Sequence, residues 1–255
     1  MAIPLAPALP LVSFAACVLL GFTVEAAIGF GGTLISVGLG VFFLPLTEVL
    51  AIFLPLNVAL SLTMLVRTRR DLDVRFLVRK LVPFMALGIP VGLFLSARVP
   101  ASPLKRSLGV FLLLFSLREL SKPASHPSSA PPAPPAGRRM FAPLLLFLGG
   151  VFHGAFATGG PLVVFVASGE LRSKAAFRAT LTALWCLLNS AVIATYAVQG
   201  KVNLGTLQRS LLLTPLLVLS VWLGELVHRK VSAEKFRIAI NVMLLALGAS
   251  LVYRG

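Results

Sequence analysis

The sequence predicts an all-α integral membrane protein. Of its 255 residues, 58% are hydrophobic and only 12% are charged, and the mean hydropathy of +0.97 lies far above that of ordinary soluble domains. Apolar stretches between charged residues repeatedly approach the roughly 17 to 25 residues that a helix needs to cross a bilayer. The strict alternation of apolar and polar residues that is typical of strands is absent. We therefore expect membrane-spanning helices and no β-barrel.

The strong positive charge fits a membrane protein as well. The chain has 23 lysines and arginines against 8 acidic residues, a net charge of +15. The basic residues stand in short loops between apolar spans, where they anchor helices against an anionic leaflet. We therefore expect membrane lipids as partners and no nucleic acid. Cys17 and Cys186 both lie in apolar runs, so we interpret them as packing residues and expect neither a metal nor another cofactor.

A proline-rich segment divides the chain. Residues 121–139, "SKPASHPSSAPPAPPAGRR", contain six prolines in nineteen positions, a composition that favours a solvated, polyproline-like linker. The segment predicts three parts: a first transmembrane repeat at residues 1–120, the linker at 121–139, and a second transmembrane repeat at 140–255.

The two halves are related to each other. "GFTVEAAIGFGG", which starts at Gly21, matches "GGVFHGAFATGG", which starts at Gly149, at an offset of 128 residues, so that Glu25 aligns with His153. Beyond a four-residue insertion around residues 168–175 the offset becomes 132. It then pairs Asn57 with Asn189, Thr63 with Thr195, Pro83 with Pro215, Gly92 with Gly224, and Val99 with Val231. A constant offset over polar and glycine positions predicts an internal duplication.

The loop charges favour repeats of opposite orientation. Five segments in each half, the first two forming a hairpin that enters and returns, place 17 of the 23 basic residues in the cytoplasm if the N-terminus is outside. A model of eight single crossings with the N-terminus inside places 13 there, which agrees less well with the excess of lysine and arginine in cytoplasmic loops. We therefore expect two inverted repeats of about five helical segments each, with a cytoplasmic linker.

The hairpins are too short for two full crossings. Only 30 residues separate Arg139 from Glu170, whereas each crossing needs about 20. The second arms, residues 33–47 and 161–169, have the length of half-helices. Irregular backbone is tolerated at membrane depth only where protein or a polar cavity covers it. The turns "GFGGT" and "ATGGP" are therefore predicted to be re-entrant or broken helical hairpins that face the protein interior.

The turn chemistry suits a small anion. A half-helix that begins after the glycines presents unpaired backbone N–H groups and the positive end of its dipole. Proline at the helix start costs little because its missing N–H would be unpaired there. Two such ends can share one small oxyanion, and transporters with inverted repeats often bind substrate at broken helices near the midplane. The alternative is that the glycines only allow close helix packing. The predicted substrate-binding residues of the turns are Gly29, Gly31, Gly32, Thr33, Thr158, Gly159, Gly160 and Pro161.

Polar residues elsewhere in apolar segments complete the candidate site. Glu25 is the only acidic residue among the first 47, and a carboxylate inside a membrane is costly enough to indicate function. With His153, it could carry protons coupled to anion movement. Asn57 and Asn189 could line the cavity or hydrogen bond between helices. Arg178 could attract anions at an entrance or act as an ordinary cytoplasmic anchor.

The sequence resembles the TauE/SafE family of sulfite exporters, also called the TSUP family. The resemblance rests on the turns "AAIGFGGTL" and "GAFATGGPL", on "KAAFRATLTAL", and on "PFMALGIPVGLFLSARVPASPLKRSLGVFLLL". It covers nearly the whole chain except the proline linker. It implies a transporter of small sulfur-containing anions such as sulfite, thiosulfate or organosulfonates. We expect this transporter in the cytoplasmic membrane, with protons or another ion as the coupling partner and without enzymatic activity.

Two other function classes stay open at this stage. An intramembrane hydrolase needs a nucleophile within reach of a base, and Thr158 with His153 is the one nearby pair, without an evident third group to orient the histidine. A scaffold or assembly subunit also needs apolar helices, but it does not need matched broken helices with ionisable residues beside them.

Overall fold

A computed structural model describes residues 5–28, 31–121, 136–171, 173–230 and 233–254. Across these residues the chain is helical and contains no strand, so the predicted all-α class is confirmed. In chain order the α-helices are α1 (Leu5–Ile28), α2 (Gly32–Gly40), α3 (Leu46–Thr68), α4 (Val74–Phe76), α5 (Val82–Arg98), α6 (Ala101–Leu120), α7 (Ala136–Phe156), α8 (Gly160–Glu170), α9 (Lys174–Val198), α10 (Leu204–Leu213), α11 (Pro215–Lys230) and α12 (Ala233–Arg254). A 3-10 turn at Arg69–Asp71 precedes α4, and a π-helical turn at Leu77–Leu81 joins α4 to α5.

Five helical stretches within the described residues are long and apolar enough to cross a membrane. They are Leu9–Ala27, Leu46–Asp71, Val74–Arg98, Ala175–Val198 and Leu204–Val227. Large apolar side chains are exposed on helix surfaces; Val218, for example, is 75% exposed and Trp222 is 62% exposed. Such exposure is expected where the surrounding solvent is lipid and not water. These features confirm an integral membrane protein.

The predicted short arms are present. The helix α2 has nine residues and α8 has eleven, whereas the helices before them, α1 and α7, have 24 and 21. At about 1.5 Å per residue, α2 and α8 are too short to cross the roughly 30 Å hydrocarbon core. Each half of the chain therefore contains one long and one short helix joined by a glycine-containing turn.

Local signals explain where several helices begin and end. Ser173 caps α9, since its Oγ accepts a hydrogen bond from the N–H of Ala176 at 3.4 Å. Gly200, with φ of 69°, follows the end of α9 in the left-handed conformation that glycine adopts at little cost. Asp73 caps α4 and also donates its backbone N–H to the hydroxyl of Thr180 at 3.0 Å, which ties this turn to α9.

The helices group into two compact units, to each of which both halves of the sequence contribute. The first unit comprises residues Met1–Val49, Val99–Pro127 and Leu211–Gly255, and the second comprises Leu50–Arg98 and Ser128–Ser210. In the first, α1 packs against α2 and α11, and α6 packs against α12. In the second, α7 packs against α5 and α8. The predicted linker falls mostly on residues 122–135, outside the described residues, and its last residues belong to α7, which begins at Ala136.

Glycines bring the backbones of α5 and α7 into direct contact. A Cβ atom on any one of four glycines would overlap a carbonyl oxygen of the other helix; these are Gly88 and Gly92 on α5, and Gly150 and Gly154 on α7. On each helix the two glycines are four residues apart and therefore lie on one face. Small residues at this spacing are a common means of close helix packing in membranes.

The same contact recurs in the first unit. A Cβ on Gly92 would overlap the carbonyl oxygen of Val151 in α7, and a Cβ on Gly224 in α11 would lie 2.8 Å from the carbonyl oxygen of Thr23 in α1. Four residues further along, the Gly92 Cβ would also lie 2.8 Å from the amide nitrogen of Ala155, and the Gly224 Cβ 3.1 Å from that of Ala27. Gly92 and Gly224 differ by the offset of 132, and Thr23 and Val151 differ by the offset of 128. Positions that the sequence offsets pair thus make equivalent contacts.

Candidate functional site

The first turn is built by a left-handed glycine. Gly31 has φ of 94°, and α2 begins immediately after it at Gly32. Residues with a side chain rarely adopt this conformation, so the glycine allows α1 to end and a new helix to start. Gly29, a predicted binding residue, lies outside the described residues. Thr33 lies in the first turn of α2 and is half-buried. The N-cap position of α2 is Gly31, which has no side chain to cap the helix.

Gly32 is enclosed by α1. A Cβ on Gly32 would lie 2.8 Å from the Cβ of Glu25 and 2.8 Å from the carbonyl oxygen of Gly21, and it would overlap the Oε2 of Glu25. Glu25 itself is only 6% exposed. The glycine is therefore required by the close approach of α1, and the carboxylate of Glu25 lies directly against the start of α2.

In the second turn a different residue has the left-handed conformation. Its left-handed residue is Ala157, with φ of 55°, and Gly159, at the start of α8, has an ordinary right-handed conformation. A Cβ on Gly159 would overlap the carbonyl oxygen of Gly149, whereas a Cβ on Gly160 would only touch the ring of Trp185 at 3.7 Å. The second half-helix therefore depends on Gly159 for its packing and leaves room at Gly160.

This difference shifts the correspondence between the turns by one residue. The sequence alignment pairs Gly32 with Gly160, but the contacts of Gly32 with its helix partner are those of Gly159. Gly32 packs on the Cβ of Glu25, and a Cβ on Gly159 would lie 3.0 Å from the Cβ of His153. The left-handed residue stands at a different position in each turn. The enclosed glycine is therefore Gly32 in the first turn and Gly159, one aligned position earlier, in the second turn.

His153 lies in the last turn of α7, next to the second turn. Its side chain is 1% exposed and stacks on the indole of Trp185, with ring centroids 5.8 Å apart and planes inclined by 16°. The amide of Asn189 lies beside the imidazole, but neither ring nitrogen makes a hydrogen bond of ordinary geometry. Burial of ring nitrogens without hydrogen-bond partners among the described residues carries a desolvation cost.

Two further polar atoms beside His153 lack partners. Asn189 donates an N–H to the Oδ1 of Asn57 at 2.7 Å, which joins α9 to α3. Within the part of the chain that the structure describes, the Oδ1 of Asn189 and the Oγ1 of Thr158 have no hydrogen-bond partner, although Asn189 is 1% and Thr158 is 2% exposed. The asparagines thus hydrogen bond between helices, one of the two roles expected for them, and the Oδ1 of Asn189 has no partner among the described residues.

The other predicted residues lie around this cluster or away from it. Pro161 lies in the first turn of α8. Proline is favoured there because the N–H that it lacks would have no partner within the helix. Arg178 is exposed on α9, one turn after the helix begins, and none of the contacts described above involves it. Among the described residues, no hydrogen bond connects Thr158 with His153.

Sequence reasoning did not identify Trp185. This residue stacks on the His153 ring, and its indole is the nearest group to a Cβ placed on Gly160. It is 8% exposed. Its position four residues before Asn189 on α9 places both side chains on one helix face. That spacing is the signal in the sequence that could have identified Trp185.

Comparisons with known proteins relate the chain to membrane transporters. A family model described as "Sulfite exporter TauE/SafE" matches residues 13–251. A protein of Comamonas testosteroni described as "Probable inner membrane transporter protein TsaS" is 29% identical over 172 residues, which cover 67% of this chain and 69% of the relative. No solved structure matches the chain significantly. The predicted multi-pass membrane transporter, as opposed to an enzyme, is therefore confirmed, and the chain belongs to the TauE/SafE sulfite exporter family.

Proposed function

We propose that this protein moves a small sulfur-containing anion, such as sulfite, thiosulfate or an organosulfonate, across the cytoplasmic membrane. The family supports the substrate class. One structural observation supports the location of the site: His153, Thr158 and Asn189 are buried beside the start of α8 and retain polar atoms without hydrogen-bond partners.

The start of α8 adds the charge complementarity that an anion requires. The first N–H groups of a helix have no partner within it, and the aligned peptide dipoles give this end a positive partial charge. The hydroxyl of Thr158 and a protonated ring nitrogen of His153 can both donate to an oxyanion. An anion that leaves water at this position exchanges its hydration for these donors, which is the requirement for binding in a buried site.

Thr158 offers the clearest test, because its hydroxyl has no protein partner. Thr158→Val keeps the shape and removes the hydroxyl, so we expect unchanged or higher thermal stability and at least a several-fold lower rate of sulfite uptake into proteoliposomes. Thr195→Val is the matched control, since the Thr195 hydroxyl bonds to its own helix through the carbonyl of Ala191 at 3.0 Å. Equal uptake by both variants would refute the assignment of Thr158 to the anion site. A panel of sulfur oxyanions and carboxylates in the same assay identifies the substrate.

Proton coupling by alternating access is part of the proposal. Glu25 and His153 are the buried ionisable residues next to the two half-helices. If protons move through them, Glu25→Gln and His153→Gln should each flatten the pH dependence of sulfite flux, because the amide keeps the size and much of the hydrogen bonding. A pH dependence identical to that of the parent in both variants would assign them to other roles.

The proposed transporter contains two inverted repeats. The equivalent contacts of Gly92 and Gly224 support the duplication, and the 17 basic residues on one predicted side support the opposite orientation. A cysteine at Ser128 in the linker, in a background without Cys17 and Cys186, should react with a membrane-impermeant maleimide only after the cells are opened. Labelling in intact cells would refute the topology.

A further inference from the structure

The two half-helices are faced by different chemical groups. Glu25 and His153 occupy equivalent positions in the two sequence repeats. Each packs its Cβ against a glycine at the start of its own half-helix. At α2, however, the facing group is a carboxylate, whereas at α8 the facing groups are the imidazole of His153 and two further polar side chains without partners. The positive end of one half-helix thus has an acidic neighbour from the chain itself, and the other does not.

The carboxylate of Glu25 lies against the start of α2. Its Oε2 occupies the space that a Cβ on Gly32 would fill, so it touches the first residue of α2. Glu25 is 6% exposed, so water contributes little to its solvation. Backbone N–H groups and the dipole at a helix start stabilise negative charge most strongly within the first turn. Gly32 permits this contact because it has no side chain.

We propose that Glu25 is the resident anion of α2. When it is ionised, its carboxylate holds the N-terminus of this half-helix as an intramolecular ligand. In consequence the start of α8, where His153, Thr158 and Asn189 have free polar atoms, takes the transported anion, and each chain binds one. The statement about α8 rests on the proposed function, whereas the statement about Glu25 does not.

Chemical rescue tests the role of Glu25. Glu25→Ala removes the carboxylate and leaves space at the start of α2, so we expect the melting temperature to fall by about 4–8 °C. Sodium formate, a carboxylate small enough for the vacated space, should restore most of this loss, and sodium gluconate at equal concentration should not. Glu25→Gln fills the space without charge and should gain nothing from formate.

Glu234 supplies the matched control. It is an acidic residue in the first turn of α12, but it is exposed. Glu234→Ala should change the melting temperature little, and formate should not raise it above that of the parent. Loss of stability in Glu25→Ala without rescue by formate would overturn the proposal and leave Glu25 a packing residue.

A second pair of variants decides the question if Glu25→Ala does not fold. Gly32→Ala introduces a Cβ into the space of the carboxylate and should lower the melting temperature. Gly160→Ala, whose Cβ would lie 3.7 Å from Trp185, should leave it near that of the parent. Equal melting temperatures of the two alanine variants would contradict the placement of the carboxylate.

Calorimetric titration of the parent with sulfite separates the two proposals. We expect one sulfite per chain. Two sulfites per chain would show that α2 is also open and would overturn the role of Glu25 as resident anion. No sulfite binding by the parent, together with formate rescue of Glu25→Ala, would refute the proposed substrate class and leave the assignment of Glu25 intact.

Discussion

The glycine contact between α5 and α7 makes a prediction about two adjacent residues. Gly149 and Gly150 are both in α7, but their surroundings differ. A Cβ on Gly149 would have its nearest neighbours at 3.5 Å, an ordinary van der Waals distance. A Cβ on Gly150 would overlap the carbonyl oxygen of Met85 and would lie 2.9 Å from both the Cα and the carbonyl carbon of that residue. We therefore expect Gly149→Ala to be tolerated and Gly150→Ala to destabilise the protein.

The contact distances set the magnitude. To bring the two Met85 carbon atoms from 2.9 Å to an ordinary contact near 3.4 Å, α5 must withdraw from α7 by at least about 0.5 Å, and the overlapping carbonyl oxygen requires a larger movement. Such overpacking costs about 1–3 kcal/mol. Both substitutions gain the same helix propensity, about 1 kcal/mol, because alanine replaces glycine within one helix. The difference between the variants is therefore the overpacking cost, and a mid-range value of about 2 kcal/mol corresponds to a gap of about 6 °C in melting temperature.

The buried thiols provide the assay. Cys17 and Cys186 are both free and buried, so a dye that fluoresces on reaction with thiols reports unfolding in detergent. Gly149→Ala is expected to melt at or slightly above the parent temperature, and Gly150→Ala below it. Because His153 follows Gly150 by less than one helical turn, Gly150→Ala should also lower sulfite flux. Equal melting temperatures, or a lower value for Gly149→Ala, would refute the close packing of α5 on α7.

Three further predictions concern the second turn and the residues of α3 and α9 near it. Ala157→Gly should raise the melting temperature by about 2–4 °C, because glycine removes a left-handed alanine that costs roughly 1 kcal/mol; a decrease would contradict this backbone geometry. Asn57→Ala leaves the Asn189 amide without its acceptor and should cost about 1–3 kcal/mol, and a double-mutant cycle with Asn189→Ala should show coupling between them, whereas additive losses would contradict the hydrogen bond. In a Trp222→Phe background, Trp185 is the single tryptophan of the chain, and its fluorescence should change on addition of sulfite; an unchanged spectrum at saturating sulfite would place the anion elsewhere.

Much of the site was predictable from the sequence because its signals are local. A glycine pair after an apolar helix, followed by too few residues for a second crossing, requires a short arm whatever surrounds it, and α2 and α8 have that length. The costs of burying a charge and of breaking a helix in lipid also belong to single residues and segments. Composition alone therefore indicated membrane helices, and spacing indicated two broken hairpins with Glu25 and His153 before them.

Contacts between distant segments were decided only by the tertiary structure. Which glycine of each turn is enclosed depends on where the left-handed residue stands, Gly31 in one turn and Ala157 in the other, and an alignment of the repeats does not contain that difference. The stacking of Trp185 on His153 depends on how α9 packs beside α7. The same is true of the free polar atoms, because whether a buried group has a partner is set by every helix around it. Local sequence determines which groups are present, and packing determines which of them remain available to a ligand.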